Sequence, residues 1–176
     1  PNLLDQAPMK LALAPFGVSA PASFKAFLLR LERLAAEAAL AGADILVLPE
    51  YAAMVCAGAE IKTPDIAAEL LHVVAQAEPI LGGLREMAMR HKLHILGGSL
   101  PMRDADGKIH NRAPFIAPSG AMGFQDKQAM TRFEDEEWGV AGGAAPVVFD
   151  TQFGLIGVSI CYDLSLIHIS EPTRPY

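Results

Sequence analysis

The chain has 176 residues, 52% of them hydrophobic and 19% charged, with a mean hydropathy of +0.28, which suits one folded domain and excludes a disordered or fibrous segment. A formal net charge of -6 leaves no broad basic surface to neutralise phosphates, which argues against a nucleic-acid partner. No apolar run approaches the roughly 20 residues that a membrane-spanning helix needs. Cys56 and Cys161 form no Cys-x-x-Cys pair and no histidine pair stands at ligand spacing, so neither a disulfide framework nor structural zinc is expected, and a reducing cytoplasm suits the chain best.

In chain order, the sequence opens on Pro1, so the expected start lies upstream or at Met9. Met9 to Ala20 has a composition resembling a short signal peptide, but Pro15 interrupts its apolar run, and Lys10 to Ala14 reads better as a first core strand. Ser23 is placed to cap a helix running through Phe24, Phe27, Leu28, Leu31, Leu34 and Ala38, and Gly42 ends it. Ile45 to Leu48, bounded by Asp44 and Pro49, has the pattern of a strand buried on both faces, which completes a β–α–β unit. Thr63 to Lys92 holds two helical stretches that Pro79 is expected to separate. His94 to Leu100 is a further strand. Asp104 to Gly107 is a tight turn, after which Asn111 to Ala117 and Ala121 to Gln125 read as antiparallel strands around Pro118 to Gly120. Ala145 to Asp150 and Gly154 to Ile160 continue the strand pattern. The sum is an α/β fold with helices packed on a mixed sheet.

Three polar residues stand directly after three of these strands: Glu50, Lys127 and Cys161. If the strands run the same way in one sheet, their ends converge at the edge where α/β proteins place their sites. A carboxylate, an ammonium and a thiol there supply a base, a cation for a developing oxyanion, and a nucleophile. Taken singly, each is an ordinary strand-end residue; the reading needs all three together. Cys56 lacks such company and reads as structural. His91 and His94 straddle a helix end and a strand start and read as non-ligands, and the pairs Gly82-Gly83, Gly97-Gly98 and Gly142-Gly143 read as turns and close-packing positions.

Leu46-Val-Leu-Pro-Glu-Tyr51, then Asp126-Lys127 with Thr131-Arg-Phe-Glu134 and Trp138-Gly139, then Gly157-Val-Ser-Ile-Cys-Tyr-Asp163 resemble, in order and spacing, the three motifs of the nitrilase superfamily of carbon–nitrogen hydrolases. The Gly-Gly-Ser within His94 to Leu100 and the hairpin beginning at Asn111 are similar to further family features. The resemblance implies a four-layer α-β-β-α sandwich. It also implies Glu50 as general base, Cys161 as nucleophile, and Lys127 with the Tyr162 backbone N–H as oxyanion stabilisers. A second glutamate is implied after the lysine; Glu134 keeps the family spacing to Trp138, and Glu136 is the alternative. The implied activity is hydrolysis of a small, non-peptide amide or nitrile through a thioester, amide preferred, with no metal or organic cofactor. The other readings are an acyltransferase of the same superfamily and a non-catalytic fragment that keeps the fold.

The family continues well beyond its Cys-Tyr-Asp motif. From Ser165 this chain instead resembles translated read-through of a sequencing adapter, with two prolines that would stop a helix or strand. The expectation is therefore a hydrolase domain over residues 1–164, incomplete at its C-terminal side, and a non-native tail over residues 165–176. Such a fragment is expected to keep its reactive residues without turnover, and the full-length parent is expected to be a homo-oligomer.

Overall fold

The computed structural model describes residues 8–61 and 65–165, so all of the expected tail but Ser165, and the start of the Thr63 stretch, lie outside the described residues. Strand β1 (Leu11–Leu13) leads to helix α1 (Phe24–Leu40), which starts where the Ser23 hydroxyl accepts the Ala26 N–H at 3.1 Å. The helix ends as its sequence requires, because Gly42 adopts φ +69, a left-handed conformation that releases the chain towards β2 (Ile45–Val47). A 3-10 turn (Ala52–Cys56) and the short α2 (Ala57–Glu60) follow, then α3 (Ile66–Ala75) and α4 (Ala77–His91).

The break between α3 and α4 falls at Gln76 rather than at Pro79. Pro79 occupies the first turn of α4, where the missing N–H has no partner to lose and a proline is tolerated. Gly82 and Gly83 likewise lie inside α4 instead of forming a turn; a Cβ on Gly83 would come within 3.1 Å of Leu28, so the glycine lets α4 approach α1 closely.

The expected strand His94 to Leu100 is two strands, β3 (His94–Leu96) and β4 (Leu100–Arg103), divided by Gly97, Gly98 and Ser99. Strands β5 (Ile109–Ile116), β6 (Met122–Asp126) and the two-residue β7 (Val140–Ala141) complete a seven-stranded mixed sheet in the order β1-β2-β3-β5-β4, with β6 and β7 also paired to β5. Strands β1, β2 and β3 are parallel, and β5 is antiparallel to β3 and to β6. Strand β6 therefore runs in the same sense as β2, and the residues after both strands emerge at one edge.

Strands β8 (Val148–Thr151) and β9 (Gly154–Gly157) pair only with each other and form a second sheet. A second sheet is what the resemblance to a four-layer sandwich implies. Alternation along the strands explains the layering. Leu46, Ile95 and Ile116 belong to the buried cluster that includes Phe27 and Leu31 of α1 and Ile80 and Leu84 of α4. On the opposite face, Phe115 meets Phe149 of β8 at 4.9 Å between ring centroids, and His94 meets Phe153 at 5.5 Å. The described residues thus form three layers, helices, large sheet and small sheet, with Val148 and Leu155 exposed on the small sheet.

Candidate functional site

Glu50 is set at the edge of the large sheet by a close approach between two loops. Gly98, at φ +71, lies so near the Pro49 carbonyl that a Cβ could not be accommodated, and the Ser99 hydroxyl accepts the Tyr51 N–H at 3.0 Å. The Gly-Gly-Ser that interrupts β3 and β4 is thereby the seat of the Glu50 turn. Lys127 continues β6, its N–H donating to the Asn111 carbonyl at 2.9 Å. Its loop is held from the other side by Gly143, whose N–H donates to the Lys127 carbonyl at 2.8 Å.

The Lys127 ammonium is 1% exposed and donates to Glu50 Oε1 at 2.8 Å and to Glu134 Oε2 at 2.6 Å. Two of its three N–H groups are used, which leaves one for a further acceptor. Asn111 Nδ2 links the same carboxylates, donating to Glu50 Oε1 at 3.0 Å and to Glu134 Oε1 at 3.2 Å. Burial opposes the charge on Lys127, but the hydrogen bonds and charges of Glu134 and Glu50 outweigh it and raise its pKa.

Glu134 is the better satisfied of the two glutamates. The Tyr51 hydroxyl donates to its Oε1 at 2.8 Å, and the Thr131 N–H and hydroxyl donate to its Oε2 at 2.9 and 2.8 Å. Thr131 and Glu134 form a reciprocal capping box on α5 (Arg132–Glu136), so the residue that starts this short helix also aims the carboxylate. Burial pushes the carboxyl up, and Lys127, Thr131 and Tyr51 together pull it down to about 2. Glu136 instead pairs with Arg132 at 2.7 Å in solvent, so of the two candidates only Glu134 joins the cluster.

Cys161 comes from the small sheet, at the end of the segment after β9. It is exposed and has φ +49, an uncommon conformation for a non-glycine residue that aims its side chain out of a tight turn. It lines one recess with Glu50, and the Tyr162 N–H follows it directly in the chain. The Glu50 carboxylate beside it and partial burial hold the thiol above its ordinary pKa, against Lys127 and the Tyr162 N–H. A recess between the sheets beside Glu50 and Cys161 is walled by Val47, Leu48, Leu96, Ala113 and Val158.

The structure brings Glu50, Lys127, Glu134, Cys161 and the Tyr162 N–H together. Sequence reasoning missed Tyr51, Thr131 and the side-chain role of Asn111; the Thr-x-x-Glu capping signature was the available signal for Thr131. Cys56 is buried in the 3-10 turn, where burial pushes its thiol up to about 11. His91 pairs with Glu32 at 2.7 Å, and His94 is stacked on Phe115.

An α/β sandwich that presents a thiol, two carboxylates and a buried ammonium at the meeting edge of two sheets has the parts that acyl chemistry through a thioester requires. Residues 9–169 match the family model described as carbon-nitrogen hydrolase, and the chain belongs to that family. It is 30% identical over 174 residues to the omega-amidase NIT2-A of Xenopus laevis, covering 94% of this chain and 59% of that protein. It is 27% identical to the Probable hydrolase YhcX of Bacillus subtilis, covering 93% of this chain and 32% of that one. The chain thus spans about a third to three-fifths of the length of these relatives. Among solved structures, a CN-hydrolase superfamily protein of Xanthomonas campestris with an arsenic adduct in its active site superposes with a TM-score of 0.73 at 21% identity, over 93% of this chain and 57% of that one. An amidase of Nesterenkonia sp. AN1, with acrylamide added at its active-site cysteine, gives 0.71 at 20% identity, over 89% and 59%. The fold is therefore that of the nitrilase-type sandwich.

Proposed function

We propose that the protein to which these residues belong hydrolyses a small, linear amide through a thioester on Cys161. The observation that carries this is that Cys161 lines one recess with Glu50, while Glu50 pairs with Lys127 at 2.8 Å and Lys127 with Glu134 at 2.6 Å. Glu50 takes the thiol proton as sulphur attacks the carbonyl carbon. The carbonyl electron pair moves to oxygen, where the remaining Lys127 N–H and the Tyr162 N–H receive it. Collapse of this adduct breaks the carbon–nitrogen bond, and the nitrogen leaves as ammonia with the proton from Glu50. Glu50 then takes a proton from water, whose oxygen attacks the thioester, and the leaving thiolate recovers that proton.

Glu134 does not exchange protons on this reading. A carboxyl held near 2 stays ionised and serves to hold the ammonium. The apolar walls of the recess favour a small aliphatic acyl group. The omega-amidase and amidase relatives support the preference for amide over nitrile.

The test is ammonia release from a panel of small linear amides by the full-length protein, with an acyl adduct on Cys161 followed by mass spectrometry. The expected result is release that Cys161→Ala abolishes and Glu50→Gln lowers by about 100-fold or more. Release that survives Cys161→Ala would refute the mechanism, and an N-acyl product formed with an added amine would assign a transferase instead.

A further inference from the structure

The third residue of the Cys-Tyr-Asp run has no task in the chemistry above, yet its carboxylate stands between the two loops that bear the reactive groups. Asp163 Oδ1 accepts the N–H groups of Gln128 at 3.1 Å and Ala129 at 2.8 Å, the two residues that follow Lys127. Asp163 Oδ2 accepts the N–H of Ile160 at 3.2 Å, the residue that precedes Cys161. The Asp163 N–H returns a bond to the Ile160 carbonyl at 3.1 Å. One carboxylate therefore satisfies three backbone donors, two from the loop after the large sheet and one from the segment after the small sheet.

The nucleophile turn has little else to fix it. Ser159, Cys161 and Tyr162 are exposed, and Ile160 is the one side chain of residues 159–162 that is buried. The turn also holds Cys161 at φ +49, a conformation that persists only where its surroundings impose it. Charge-assisted bonds from a carboxylate to backbone N–H groups are stronger than neutral ones and fix direction as well as distance.

We infer that Asp163 is a positioning residue, a brace that ties the Cys161 turn of the small sheet to the Lys127 loop of the large sheet and so keeps the thiol against Glu50. The inference rests on the proposed partnership of Cys161, Glu50 and Lys127, and extends it to a residue that touches none of the reacting atoms. Asparagine cannot replace the brace. It keeps one acceptor oxygen, and its NH2 group would face an N–H at the other position, so either the Lys127 loop or the Cys161 turn is released.

The test uses the 176-residue chain and the Asp163→Asn, Asp163→Glu and Asp163→Ala variants. The rate of Cys161 alkylation by iodoacetamide is followed against pH, with Cys56 as internal reference and thermal unfolding as control. Asp163→Asn is expected to move the midpoint of the Cys161 profile down by about half a pH unit or more, because the thiol loses its Glu50 contact, while Cys56 is unaffected. Asp163→Glu should recover part of the difference. A Cys161 profile in Asp163→Asn that matches the parent overturns the inference, even if the variant is less stable, and this holds should Asp163→Ala fail to fold. Failure of the underlying partnership is separately visible: there, Glu50→Gln would leave the parent profile unmoved, whereas a profile that Glu50→Gln moves and Asp163→Asn does not would overturn the brace alone.

Discussion

Replacing Glu134 by glutamine keeps the shape of the side chain and removes its charge. The parent carboxylate receives donors on both oxygens, from Tyr51 and Asn111 on one and from Lys127 and Thr131 on the other. Glutamine offers one oxygen and one NH2 group, so whichever way it turns, a donor meets a donor. Lys127, 1% exposed, is left with Glu50 as its single counter-charge. Breaking one side of a buried, hydrogen-bonded ion pair costs about 3–5 kcal/mol. The depression of the Glu134 carboxyl, due first to the same Lys127 pairing, gives a figure of the same size, since a carboxyl held near 2 in the fold and near 4.5 when unfolded represents on the order of 3 kcal/mol at neutral pH. Its folded pKa is depressed, so this stability is present above the unfolded value and is lost as pH falls from about 4.5 towards 2. Urea unfolding of Glu134→Gln and the parent at pH 7 should therefore differ by about 3 kcal/mol or more, equivalent to roughly 10 °C in Tm for a domain of this size. The gap should close in acid. A difference under about 1 kcal/mol at pH 7, or one unchanged between pH 4.5 and 2, would refute the account of Glu134 as the anchor of Lys127.

Iodoacetamide at pH 8 should label Cys161 at least about 100-fold faster than Cys56, which is buried and pushed up to about 11, and the two rates should converge in urea; peptide mapping reads both sites. Glu50→Gln should shift the Cys161 labelling profile to lower pH, because the carboxylate that raises the thiol is gone; a shift to higher pH would contradict the Cys161–Glu50 contact. Gly98→Ala forces a Cβ against the Pro49 carbonyl at a left-handed φ and should cost about 2 kcal/mol or more in urea unfolding.

Much of this was legible because strand ends announce themselves in the sequence. The aliphatic run Ile45 to Val47 and the alternation before Asp126 place Glu50 and Lys127 at the ends of strands whatever the sheet looks like. Which sheet a strand joins is another matter. Gly154 to Gly157 has the same local pattern as a strand of the large sheet, and what sends it to a second layer is the docking of Phe149 on Phe115, a contact between residues far apart in sequence. The division of β3 from β4 was missed because glycines within an apolar run look like tolerated interruptions, when Gly98 is there to let the Pro49 turn approach. Pro79 misled for a related reason: it marks the beginning of a helix as readily as an end. At the site, the spacing of Glu134 to Trp138 singled out, among four acidic neighbours, the one that reaches Lys127, and the capping box with Thr131 is the physical reason that it points there.

The division of the site between two sheets has a consequence for how it comes apart. Glu50 and Lys127 follow strands of a seven-stranded sheet covered by helices and Glu134 lies on α5, whereas Cys161 follows a two-stranded ribbon with Val148 and Leu155 facing solvent. Cooperative units with few buried contacts open first, well below the free energy of global unfolding. With most of its side chains exposed or half-buried, the ribbon is expected to behave as such a unit, and its opening would carry the sulphur away from the charged trio. Release of Cys161 by mild denaturant, read from its alkylation, should then precede loss of the fold, along a seam that amide hydrogen exchange would trace as early deuteration of residues 148–157 against a slowly exchanging β2 and β3.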